Sequence, residues 1–249
     1  MIKIYFFKTK EEAGFKAAES FAATLKEKPD AVLGLATGSS PIPMYDALVE
    51  MYNNGEISFA EATSVNLDEY VGLPADHDQS YRYFMQKNLF DRVDIKPENT
   101  NLPLGTASDL AAECARYDAL VESLGGIDVQ VLGIGLNGHI GFNEPSDIFP
   151  YGTAAVQLTE STVKANSRFF ASESEVPTMA ISMGIGQIMT AEKIILLANG
   201  TNKAEILERA LFGDVTPAVP ASILRFAKNV EVYLDDDAAA IIRERHAGI

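Results

Sequence analysis

The stretch DVQVLGIGLNGHIGFNEP, residues 128–145, is a short apolar run released into four glycines. Such a run, rich in β-branched residues, reads as a buried strand ending in a loop, the place where open α/β sheets put their ligand sites. Gly133, Gly135, Gly138 and Gly141 let the backbone turn tightly around three polar side chains of complementary type, Asn137, His139 and Glu144. An imidazole gives and takes a proton near neutrality, and a neighbouring carboxylate orients it and stabilises its charged form. His139 with Glu144 is therefore the candidate acid–base pair, and Asn137 its partner. The competing reading has Asn137 and Glu144 capping turns around a satisfied loop histidine.

Outward from this loop the chain alternates strand and helix. An amphipathic helix is expected over residues 109–124, leading through Gly125-Gly126 into the central strand. Further strands are expected at 2–7, 31–36, 62–67, 178–183, 193–198 and 230–234. Helices are expected at 10–28, 44–52, 80–90, 184–190, 204–212 and at the end of the chain, with VDIKPENTNLPLG, residues 93–105, as a loop. The alternation predicts an α/β fold: an open, mostly parallel sheet with helices on both faces, Rossmann-like and three-layered. At 249 residues and 47% hydrophobic, the chain fits one domain spanning 1–249. It has no internal repeat, low-complexity tract, coiled coil or CxxC-type cluster, so no metal is called for.

Twenty Lys and Arg against thirty-five Asp and Glu give a net charge of −15, which argues against nucleic acid or an anionic membrane as a partner. Any anionic ligand must be held by local groups. The single cysteine, Cys114, lies in the expected 109–124 helix and reads as a small buried apolar residue. The start, MIKIYFFKTKEE, has no secretory apolar region, and no apolar run is long enough to span a bilayer. The expectation is a soluble cytoplasmic protein.

Three other strand ends carry candidate chemistry. The second strand runs into Thr37, Gly38, Ser39 and Ser40 before a helix, which gathers backbone N–H groups and hydroxyls suited to a phosphate. This loop is neither GxxxxGK[ST] nor GxGxxG, and turning and capping alone would also explain it. The third strand is expected to open into a loop at Asp68-Glu69. Adjacent carboxylates point to opposite sides of an extended backbone, so one faces a site as a possible general base while the other caps or pairs elsewhere. Lys203 heads a helix where a cation opposes the macrodipole, a conflict that a bound anion would remove. Arg168, beside Phe169 and Phe170, is placed either to meet an anion or to pair with Glu173 or Glu175.

Five stretches now line up: LATGSSPIPMYDAL, NLDEYVGL, LGIGLNGHIGFNEP, ANSRFF and NGTNKAE. Together, and in this order from about residue 30 to about residue 235, they resemble the glucosamine-6-phosphate deaminase (isomerase) family. GHIGFNEP with an upstream NLDEYVGL separates the chain from 6-phosphogluconolactonases, whose equivalent loop reads more like DGHTASLFP. The resemblance implies conversion of glucosamine 6-phosphate and water to fructose 6-phosphate and ammonia, without a cofactor. It implies that His139, assisted by Asn137 and Glu144, opens the sugar ring, and that Asp68 moves the C2 proton to C1. Thr37, Gly38, Ser39, Ser40, Arg168 and Lys203 would hold the phosphate. The implied partner is the small-molecule substrate, with the chain a monomer or small homo-oligomer.

Two departures from the family pattern stand out. Many relatives carry Asp where this chain has Asn137, although shorter members carry Asn; an Asn can orient His139 by hydrogen bonding but adds no charge. Residues 146–158 contain no cation, whereas allosterically regulated relatives have an arginine-rich segment there that binds N-acetylglucosamine 6-phosphate between subunits. The expectation is an enzyme without that activation. Against it stand a lactonase or isomerase on the same scaffold, which would not need Asp68, and a non-catalytic sugar-phosphate sensor, which would need a DNA-binding segment or basic patch that is not visible.

Overall fold

The structure is a computed structural model and describes residues 2–170, 172–246 and 248, without the side chains of residues 165, 169 and 173. The expected pairing of Arg168 with Glu173, and the contact with the Phe169 ring, therefore lie outside the described side chains. The elements in chain order are β1 (Ile2–Phe7), α1 (Lys10–Glu27), β2 (Val32–Leu35), α2 (Ile42–Asn53), β3 (Thr63–Asn66), β4 (Asp68–Tyr70), α3 (Tyr81–Asn88), β5 (Thr100–Asn101), α4 (Leu110–Ser123), β6 (Val129–Leu132) and β7 (Ala154–Gln157). They continue with α5 (Glu160–Asn166), β8 (Met179–Ser182), α6 (Ile185–Ile188), β9 (Lys193–Ala198), α7 (Ala204–Phe212), β10 (Val230–Asp235) and α8 (Asp236–Arg245).

Seven strands form one sheet in the order β1-β10-β9-β6-β2-β3-β5, every neighbouring pair parallel. Parallel strands need helical crossovers, which cover both faces, and β2, β6 and β10 are accordingly buried at every residue. The two faces can be told apart at β1 and β10. Tyr5 and Phe7 contact Tyr233, and Glu231 on that same side meets Ser20 of α1. Phe6 points the other way, under Arg243 of α8, 4.9 Å from the ring centroid. The three-layer expectation holds. From β2 the chain builds outward through β3 to β5, and from β6 the other way to β9 and β10. The ends of β2 and β6 therefore flank the crevice at which strand order reverses, the usual ligand position in such sheets.

The structure corrects the expectation at Asp68. Instead of opening into a loop, the third strand passes directly into β4, which belongs to a second, antiparallel sheet ordered β4-β8-β7. Leu67 is the pivot: its N–H donates to Leu35 O of the main sheet, and its carbonyl accepts from Met183 N at 2.7 Å. The small sheet pairs Asp68 with Ser182 and packs its own apolar cluster of Tyr70, Phe142, Leu158 and Ala180. Periodicity alone also missed β7, a four-residue strand with no fully buried position, and β5, a two-residue edge strand inside the expected 93–105 loop. The expected 80–90 helix stops at Asn88 and is followed by a 3-10 turn at Phe90–Arg92. Among the described residues no helix is long and apolar enough to cross a membrane.

Candidate active site

The loop after β6 is shaped by its glycines. Gly135 N–H donates to His139 O at 2.9 Å, closing the turn and laying the imidazole over Gly135, where a Cβ would stand 2.3 Å from the ring. Gly138 takes φ +90 and Gly141 φ +57, backbone that an L side chain resists. Within this frame Glu144 Oε2 accepts from Asn137 Nδ2 at 2.5 Å and lies 3.4 Å from His139 Nδ1, a buried atom that makes no hydrogen bond of good geometry among the described residues. Asn137 Oδ1 accepts from the main-chain N–H of His139 at 3.2 Å. The expected role of Asn137 is thereby shifted: it fixes the loop backbone and the carboxylate, while the ring itself faces Glu144. A carboxylate can only accept, so an amide donor at position 137 completes what a second carboxylate could not supply without a proton. Although burial opposes its charge, Glu144 is held down to a pKa of about 2 by His139, Thr162 and Asn137.

Asp68 enters from the small sheet. Its partner across the ladder, Ser182, accepts from Phe142 N with Oγ at 2.9 Å, which draws the loop onto β4. A Cβ on Gly141 would stand 3.5 Å from Asp68 Oδ2 and 3.1 Å from Ser182 Oγ, so Asp68, Ser182 and the loop carrying His139 and Glu144 converge there. The two adjacent carboxylates separate as extended geometry requires. Glu69 turns to the start of α3 and accepts from the N–H groups of Tyr70, Tyr81 and Arg82, each at 2.9 Å. Asp68 is left buried, 6% exposed, and burial together with the charge of Glu69 pushes its carboxyl up to about 8. A carboxyl so perturbed beside an imidazole–carboxylate pair is a functional-site signature.

The candidate phosphate groups lie on the loop after β2, just beyond α5 and at the start of α7. Gly38 turns with φ +99, and α2 then begins at Pro41 with no side-chain cap and no acidic residue in its first turn. By contrast, Thr9, Ser80, Asp109, Thr159 and Asp235 cap α1, α3, α4, α5 and α8. The helix α7 likewise starts at Lys203 without a side-chain cap. Lys203 Nζ reaches back to donate to Ile134 O at 2.5 Å, in the loop after β6, and burial and the charge of Arg168 lower its pKa to about 8. Arg168, just beyond α5, and Lys203, at the uncapped start of α7, are thus two cations held close together, a setting that an anion would relieve. Thr37 lies beside the hydroxyl of Tyr81, whose ring packs 4.7 Å from that of Tyr70.

The fold thus brings Asn137, His139 and Glu144 together with Asp68 at Gly141, and Arg168 to Lys203, but several neighbours escaped sequence reasoning. Nothing in the sequence marks Tyr70 and Tyr81 as neighbours of a site, yet Tyr70, on Asp68's strand, packs on Tyr81 and accepts from Asn166 Nδ2 at 2.8 Å. Thr162 donates a short hydrogen bond to Glu144 Oε1, with Thr159 3.3 Å from the same oxygen. The only available signal was the N-cap pattern of LTEST, which announces a helix and not what it faces. Among the described residues no cluster of three or more His, Cys, Asp or Glu is arranged to hold a metal ion.

Comparison with known proteins fits this crevice. The family model described as glucosamine-6-phosphate isomerases/6-phosphogluconolactonase matches residues 8–233. A protein of Lachnoclostridium phytofermentans named glucosamine-6-phosphate deaminase is 58% identical over 217 residues, which cover 87% of this chain and 92% of that one. A protein of the same name from Clostridioides difficile is 54% identical, with 90% of each chain covered. A solved structure described as a monomeric glucosamine-6-phosphate deaminase superposes with a TM-score of 0.94 at 46% identity, over 96% of this chain and 99% of that one. The 6-phosphogluconolactonase of Trypanosoma brucei superposes at 0.77 with 20% identity, a likeness of fold alone. The chain belongs to the glucosamine-6-phosphate isomerase/6-phosphogluconolactonase family.

Proposed function

We propose that this chain is a glucosamine-6-phosphate deaminase, converting glucosamine 6-phosphate and water to fructose 6-phosphate and ammonia. The observation that carries the reading is the meeting at Gly141 of a buried carboxyl, Asp68, with the loop that holds the His139–Glu144 pair. A lactonase has no use for a base that visits two adjacent carbons, whereas the deaminase does. Relatives 54% and 58% identical that bear the deaminase name support the same choice.

The residues take roles that follow from their chemistry. His139 passes a proton to the ring oxygen as the C1 hydroxyl gives one up, and the pyranose opens to the aldehyde; Glu144 stabilises the imidazolium formed on the way. Ionised Asp68 takes the proton from C2 while the C1 oxygen receives one, giving a C1–C2 enolamine; Asp68 then returns its proton to C1 and the amino group releases one, which turns C2 into a neutral imine. Water adds to that carbon and ammonia leaves, so atoms and charge balance. Asp68's elevated pKa makes it a strong enough base for a carbon acid once its proton is lost. Thr37, Gly38, Ser39, Ser40, Arg168 and Lys203 hold the phosphate, far from the reacting carbons, and so fix C2 over Asp68.

This chemistry calls on side chains of the chain alone, with the sugar phosphate as the small-molecule partner. A charged sugar phosphate does not cross membranes unaided, and on that ground we assign the enzyme to the cytoplasm. The monomeric state described for the structural neighbour supports a monomer or small homo-oligomer. The test is ammonia release from glucosamine 6-phosphate by purified protein, with fructose 6-phosphate followed in parallel. Equal amounts of both are expected; hydrolysis of 6-phosphogluconolactone without ammonia release would replace this reading with the lactonase.

A further inference from the structure

Glu144 is held from two sides. Its Oε2 faces the glycine loop, where it meets Asn137 and His139. Its Oε1 faces α5 and accepts the short hydrogen bond from Thr162 Oγ1. A hydroxyl carries one proton, and that of Thr162 is committed to Glu144. Beside it Thr159 Oγ1 lies 3.1 Å from Thr162 Oγ1, 3.3 Å from Glu144 Oε1 and 3.0 Å from Ser161 Oγ. Thr159 in turn caps α5 by accepting from Thr162 N at 3.3 Å. Both hydroxyls thus flank Glu144 Oε1 from the start of α5, with Thr162 the nearer. Capping α5 needs Thr159 only, so it leaves the Thr162 hydroxyl bond to Glu144 unexplained. Thr162 is itself buried, 5% exposed, which leaves little room for a water to replace its hydroxyl.

We propose that Thr162, backed by Thr159, is a positioning residue for ring opening: by fixing Glu144 Oε1 it aims Oε2 at His139 Nδ1. The proposal rests on the assignment of His139 and Glu144 to that step. Its reach goes further, because the segment that starts at Thr159 also carries Asn166, bonded to Tyr70, and Arg168, beside Lys203. One short piece of chain thus ties the ring-opening carboxylate to the phosphate end.

The experiment measures kcat and KM for ammonia release by wild type, Thr162→Val, Thr162→Ser, Glu144→Gln and the Thr162→Val/Glu144→Gln double variant, with thermal melts alongside. Thr162→Val is expected to lower kcat by about tenfold with KM within about twofold, and Thr162→Ser, which keeps the hydroxyl, to recover most of the rate. In the Glu144→Gln background the valine should cost almost nothing more, because residues acting through one another are not additive. A full-rate Thr162→Val, or an equal loss in both backgrounds, overturns the proposal. A fully active Glu144→Gln overturns the ring-opening assignment beneath it, which is a separate result. Should the valine variant melt early, Thr162→Ala takes its place in the same cycle and is judged by the same two outcomes.

Discussion

Asp68→Asn should separate stability from catalysis in a pH-dependent way. The native carboxyl holds its proton up to about pH 8, against 3.8 for an ordinary aspartate, because burial and Glu69 penalise the charge. A raised carboxyl pKa means that the folded state binds a proton the unfolded state has lost. The stability this group contributes is therefore complete below pH 3.8 and falls steadily until the pH passes 8. At about 1.4 kcal/mol per pH unit, wild type should lose roughly 4 kcal/mol relative to the uncharged variant between pH 5 and pH 9. Every other titrating group is shared, so the difference between the two proteins isolates this one. Urea unfolding at pH 5, 7 and 9 reads it directly: asparagine should become progressively the more stable protein as pH rises. Meanwhile the variant should lose about 10²- to 10⁴-fold in kcat, the usual contribution of a general base, while KM stays close. Wild-type kcat/KM should climb with pH up to about 8, as the base of the free enzyme ionises, and fall again beyond it, where Lys203 loses the proton with which it holds the phosphate. A stability difference that stays constant from pH 5 to pH 9 would refute the reasoning, since it would mean that Asp68 ionises as freely when folded as when unfolded.

Lys203→Met should raise KM by about a hundredfold with a smaller effect on kcat, because uniform binding of a remote phosphate is what it removes. Inorganic phosphate should raise the melting temperature of wild type, less so above pH 8 where Lys203 loses its proton, and scarcely that of the variant. Gly135→Ala sets a Cβ 2.3 Å from the His139 ring, so kcat should fall by more than about tenfold; crystallography of the variant should show the imidazole displaced, and an unmoved ring would contradict the geometry. Residues 146–158 carry no cation, so saturation curves for glucosamine 6-phosphate should be unchanged by N-acetylglucosamine 6-phosphate; a leftward shift would show an effector site built from other groups. Glu144→Gln should destabilise wild-type-like folding at neutral pH and lose that effect as pH falls from 4.5 towards 2, where the native carboxylate finally takes its proton.

How much of this was legible beforehand depends on the kind of signal each feature leaves. The run IILLA is buried on both sides and closed by Asn-Gly, and β9 came out as Lys193–Ala198, the residues its apolarity marks. Lys203 was legible through a local conflict, a cation at a helix start, and the structure resolves the conflict partly within the fold by sending Nζ to Ile134 O. The strand at Asp68 was not legible, because its three residues are extended only through pairing with β8, far along the chain, and no local pattern encodes a distant partner.

The same limit hid the tyrosines and threonines. A Tyr at helical spacing packs like a Phe, and its hydroxyl becomes informative only when folding brings Thr37 and Tyr70 to it. Asn137 sharpens the point. From sequence, its missing charge looked like a deficit to be made up by Glu144. In the fold His139 does most to keep Glu144 ionised, and the Thr162 hydroxyl and the Asn137 amide add to it as neutral donors. The negative charge facing His139 therefore comes from one carboxylate held by two neutral donors. Two carboxylates there would have had to share a proton, whereas this arrangement keeps the charge single and fixed in direction.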